Sequence, residues 1–191
     1  MSITSAKTGA TGISLALENN YMEPIASVLV GAGGVPTVIF NDIPQTYKHL
    51  QLRCLARSAT AAQTDGLRIR FNGDSGTNYA RHVLYGEGSV ASASAAASGN
   101  LLGVTDITAA SATASAFGVA VLDILDYTNT NKNKTTRTLG GGDTNSASFG
   151  QIDLFTGLWI NTNAITSMTL FTNSNANIVQ YSRFSLYGIK G

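Results

Sequence analysis

The chain has 191 residues, of which 43% are hydrophobic and only 12% charged, with a formal net charge of +1. That length holds one domain with a sizeable core, and its charged share is about half the usual ~25%. Scattered Lys and Arg at near-zero net charge exclude a nucleic-acid surface, which needs clustered cations. No apolar run approaches the ~18 residues of a membrane span, and the single cysteine excludes an internal disulfide.

Residues 1–24 combine small polar residues with one short helical turn expected over Ile13 to Glu18, and read as an extended N-terminal arm. The first dozen residues lack the charged-then-apolar layout of a secretory signal, so a soluble protein made in the cytosol is expected. From Ile25 the sequence becomes strand-like. Runs at Ile25 to Val30, Pro36 to Phe40, Lys48 to Arg57 and Leu67 to Asn72 are separated by GAGG, NDIPQT and a Thr/Ala-rich loop. Leu50, Leu52, Cys54 and Ala56 alternate with polar neighbours, as do Leu67, Ile69 and Phe71, which predicts strands with one dry and one wet face. Cys54 at such a position is a small buried hydrophobe.

Tyr79 to Tyr85 is a further strand, followed by GEGSVASASAAASGN, whose small side chains predict a long loop or a sheet edge. Phe117 to Tyr127 resumes period two, with an ambiguous register at Leu122 and Asp123. Lys134 to Leu139, Ile152 to Ile160, Ala164 to Thr172 and Ile178 to Ile189 bring the count to nine or ten strands. The last is expected to pair centrally. No long helix and a turn signal every ten residues or so predict an all-β fold, an antiparallel β-sandwich of jelly-roll type over residues 25–191.

Few residues invite chemistry. His49 and His82 are isolated on alternating runs, and no nucleophile-elbow motif accompanies them. Two His and one Cys fall short of a metal set without carboxylates. NGDSGTN, Asn72 to Asn78, spaces oxygen side chains around a glycine but lacks the closing Glu of a calcium loop, and reads as a turn. Asp123 and Asp126, three apart, would point to opposite faces of a strand, a poor geometry for a paired acid and base. The glycine runs at 31–34 and 140–142 precede no helix that could hold a phosphate. No cofactor and no enzymatic role are expected. Trp159, the only tryptophan, is a core or interface residue or a platform for a sugar ring, and the polar loop at Asn131, Lys132 and Asn133 is the companion candidate for partner or glycan contact.

Several stretches, in order along the chain, resemble small virion proteins of tailed bacteriophages. These are Ile25-Ala26-Ser27 leading into a Gly/Ala turn, "VIFNDIPQTYKHLQLR", "LRIRFNGDSGTNYARHVLYG", "VLDILDYTNTNKNKTTRTLGG", "TGLWINTNAITSMTL" and the terminal "QYSRFSLYGIKG". The resemblance spans about residues 25 to 191. It implies a β-sandwich displayed on the virion surface after synthesis in the bacterial cytoplasm, as a capsid decoration or short head-fibre subunit attached through residues 1–24. The alternative is a tail-fibre or receptor-binding tip recognising a host surface glycan or protein, with Ser89 to Asn100 and Thr128 to Lys134 as contact loops. The chain carries no coiled-coil heptads and no collagen-like repeat. An arm of this composition orders only where another surface offsets about 1–2 kcal/mol of conformational entropy per residue, so contacts with other virion proteins and a homotrimer or other cyclic homo-oligomer are expected.

Overall fold

A computed structural model describes residues 5–9, 12–16, 21–146 and 150–191, the first two stretches as backbone only. Within the arm, β1 (Ser5–Gly9) and β2 (Gly12–Ala16) pair antiparallel as a two-stranded ribbon. The expected helical turn is therefore corrected: Ile13 to Ala16 lie in β2, because Ser, Gly and Thr at neighbouring positions favour an extended pairing over a lone turn of helix. Residues 1–4, 10–11 and 17–20, which complete the expected arm, lie outside the described residues, as do residues 147–149.

The rest is an antiparallel β-sandwich with no helix among the described residues. Numbered in chain order, the eight-stranded sheet runs β3 (Met22–Leu29), β14 (Arg183–Ile189), β5 (His49–Ala56), β10 (Gly118–Leu125), β11 (Lys134–Asp143), β12 (Gly150–Trp159), β7 (Tyr79–Glu87) and β8 (Val90–Gly99). The four-stranded sheet runs β4 (Thr37–Phe40), β13 (Met168–Thr172), β6 (Thr64–Phe71) and β9 (Leu102–Thr108). The large sheet begins at Met22, so the last three residues of the expected arm belong to β3.

The alternation read from the sequence sets the layers. Leu50, Leu52, Cys54 and Ala56 of β5 face inward, as do Ala120, Leu122 and Ile124 of β10, and meet Leu67, Ile69 and Phe71 of β6 and Met168 and Leu170 of β13 in one core. That orientation resolves the Leu122/Asp123 ambiguity, with Leu122 in and Asp123 out. The terminal run is split. A left-handed residue at Tyr181 (φ 72) separates Ile178, which bridges Val35 and Ser58, from β14, which pairs with β3 on one side and β5 on the other.

Within the sandwich, one strand lies outside the expected runs and another settles a choice that the pattern leaves open. β9 is buried along nearly its whole length, so no polar alternation marks it. β8, within the GEGSVASASAAASGN segment, takes the sheet-edge alternative: it is a regular edge strand paired to β7, and not the contact loop expected of Ser89 to Asn100. The NGDSGTN turn is present, with Asn72 (φ 51) and Gly73 (φ 67) both left-handed and the Asp74 amide donating to the Phe71 carbonyl at 2.9 Å. It joins β6 to β7, strands of different sheets, so it is a crossing between layers and not a hairpin.

Candidate functional site

Trp159 cannot serve as a sugar platform in this fold. It ends β12 facing inward, 1% exposed, with its indole 5.6 Å from the Phe71 ring and stacked 6.3 Å from Tyr79. Its Nε1–H donates to Asp74 Oδ2 at 2.7 Å. The same carboxylate accepts the Gly76 amide at 2.8 Å and the Asn78 amide nitrogen at 3.0 Å, and the Trp159 and Asn78 bonds hold its pKa below the ordinary carboxylate value. The oxygen cluster that sequence reading weighed as a turn or a calcium loop thus anchors the tryptophan.

Asn131, Lys132 and Asn133 are exposed, as a contact loop requires. The loop is nevertheless fixed from below. Lys134 is fully buried, and its Nζ donates to the carbonyls of Asn129 (2.7 Å), Lys132 (2.8 Å) and Thr162 (2.9 Å). Burial lowers its pKa, with Asp126 opposing. Lys132 Nζ lies 2.8 Å from Asp126 Oδ2, the main cause of that carboxyl's lowered pKa. Long basic side chains here act as internal caps for loop carbonyls.

His49 and His82 are not brought together: both point to the outer face of the large sheet, on β5 and β7, with β10, β11 and β12 between them. His49 Nδ1 accepts the Asp126 amide at 2.9 Å. Asp123 and Asp126 are likewise apart in role, Asp123 accepting from Arg137 Nη2 at 3.0 Å and Gln51 Nε2 at 2.9 Å. No group of three or more His, Cys, Asp or Glu among the described residues is placed to hold a metal.

Two features emerge only from the tertiary structure. The first is a belt across the outer face of the large sheet. Cross-strand register aligns Leu55, Val119, Gly141, Ile152, Gly86 and Ala91 in one row, and Val121, Leu139, Leu154, Leu84 and Ala93 in the next. Their larger members are 40–62% exposed. On β5 the second row ends at Arg53, which donates to Gln51 of the adjoining polar row at 2.9 Å, where Gln51 and Arg137 donate to Asp123.

The second is a polar cleft between the sheets. Eight strands over four leave β7 and β8 extending past β9, the edge of the small sheet, and under this overhang lies a space of about 290 Å³ lined by residues that include Arg68, Arg81, Glu87, Asp106 and Gln151. Behind it, Asp153 is fully buried and accepts from Thr105 Oγ1 (2.9 Å), the Asp106 amide (2.8 Å) and Gln151 Nε2. Gln151 Nε2 also reaches Asp106 Oδ2 at 3.2 Å, and Arg68 Nη1 lies 3.5 Å from Asp106 Oδ1. Burial pushes the Asp106 carboxyl up, with Arg68 opposing. These residues come from four strands, β6, β7, β9 and β12, and no spacing signals their convergence; the only local trace is polar residues at inward positions of β7, β9 and β12.

Comparison with known protein families, curated proteins and solved structures finds no match to this chain.

Proposed function

We propose that the chain is a non-enzymatic structural protein of a tailed-phage virion, displayed on the particle as a capsid decoration or short head-fibre subunit and attached through residues 1–24. The observation that carries this reading is the apolar belt on the large sheet. Leu55, Leu84, Val119, Val121, Leu139, Ile152 and Leu154 are each roughly half exposed, leaving on the order of 500 Å² of apolar surface, at the top of the range for the largest patch of a monomer. Burying it would contribute about 12 kcal/mol at ~25 cal/mol per Å², against an association cost of about 4–15 kcal/mol.

The occupant is a second copy of the chain. Across β10, β11, β12, β7 and β8 the belt carries no charged side chain, Arg53 and Arg183 flank it on the side of β3, and β8 at its other end offers a ten-residue open edge, VASASAAASG, with neither charge nor proline. The opposite edge, β3, is blunted by Glu23, Pro24 and a bulge opposite Leu186 and Tyr187. One protected and one open edge limit growth of the sheet and favour a closed homo-oligomer over an open fibre. Light scattering on the purified chain tests it. Wild type should be oligomeric, and Leu139→Lys with Leu154→Lys monomeric with unchanged circular dichroism; a monomeric wild type at high concentration would refute the belt as an interface. Deleting residues 1–20, which leaves β3 whole, should leave a folded sandwich that no longer joins the particle.

A tail-fibre or receptor-binding tip is the second reading, favoured by the rigidly held, exposed loop at Asn131, Lys132 and Asn133. Purified protein that blocks phage adsorption, and a low copy number on stained gels of virions, would select it over a decoration present in numbers set by the capsid lattice.

A further inference from the structure

The cleft beneath β7 and β8 has no role in the belt or the loop, yet it is built from groups that are costly to place there. Arg81 projects inward from β7, and its Nε is buried with no acceptor. An orphaned buried N–H costs about 1–3 kcal/mol, so this donor is set for an oxygen that enters from outside the chain. Asp106 is held against Arg68 and Gln151, with Asp153 locked behind it. Acceptors and donors are therefore fixed before any ligand arrives, which lowers the ordering cost of binding.

The mixture of groups narrows the ligand. Arg68 and Arg81 only donate, and Asp106 and Glu87 in their charged forms only accept. An anion would meet two carboxylates, and a cation two guanidinium groups. Hydroxyl groups, each both donor and acceptor, satisfy both sets at once. The Tyr85 and Phe155 rings in the same lining offer apolar surface to C–H groups. A volume of about 290 Å³ lies at the small end of ligand pockets, the size of one ring and not of a chain.

We propose that this cleft binds a single neutral hexopyranose residue, Arg81 donating to a ring hydroxyl oxygen while Asp106 and Glu87 accept from neighbouring hydroxyls. The inference stands apart from the virion reading and would hold for any display site. The experiment is saturation-transfer NMR on the full chain with methyl α-glucopyranoside, methyl α-galactopyranoside and methyl α-mannopyranoside, with acetate and glucuronate as anionic probes. At least one neutral glycoside should bind saturably at millimolar concentration. Arg81→Met and, separately, Glu87→Gln, half-buried at the end of β7, should each weaken that binding about tenfold with the circular dichroism of wild type. No saturable binding of any neutral glycoside would overturn the proposal. So would binding unchanged in both variants, or anionic probes bound in preference and retained in Glu87→Gln.

Discussion

Replacing Asp74 by Ala removes the acceptor for the only tryptophan, and the consequence follows from the geometry. In the wild type the Trp159 Nε1–H donates to Asp74 at 2.7 Å inside a site where the indole is 1% exposed. Loss of a hydrogen bond to a charged acceptor costs about 1.5–3 kcal/mol, most of it the penalty of a buried donor left without a partner. The Gly76 amide is in an exposed turn and recovers water, so it adds little. The expected destabilisation is about 2–3 kcal/mol, or roughly 5–10 °C in Tm for a domain of this size. Urea denaturation followed by tryptophan emission and by far-UV circular dichroism reads it directly, since emission reports Trp159 alone. The same bond has a pH signature. The folded-state pKa of Asp74 is lowered from 3.8, so its contribution is fully present above about 3.8 and is lost as pH falls through the folded value. The stability gap between wild type and Asp74→Ala should therefore narrow in acid. A difference under about 0.5 kcal/mol at neutral pH, with unchanged emission, would refute the reasoning.

Lys134→Met should destabilise by about 3 kcal/mol, because three loop carbonyls lose one shared donor; hydrogen exchange should rise at 129–134 and 160–164 with the sheets still protected. Cys54 is buried and its thiol is pushed up to about 12 by burial, so alkylating reagents at pH 8 should label it only after unfolding. Rapid labelling of the native protein would show that β5 opens to solvent.

What the sequence settled by itself was local. A period of two in Lys48 to Arg57 and Leu67 to Asn72 places Leu52 and Ile69 inside because a strand presents alternate side chains to opposite faces, whatever its neighbours. Asn72-Gly73 marks a turn because those residues tolerate left-handed backbone. Where both faces of a strand are covered, as in β9, or where side chains are too small to show contrast, as in β8, that signal vanishes. Which strands adjoin was decided only in three dimensions. The belt exists because register sets Val121, Leu139, Leu154 and Leu84 side by side, and the cleft because an eight-stranded layer overhangs a four-stranded one. Tertiary placement also decided between the core and platform readings of Trp159, an amphipathic residue whose one polar atom found Asp74 across a crossing between sheets. Pairings over such separations depend on the arrangement of whole layers, and no short stretch of sequence encodes them.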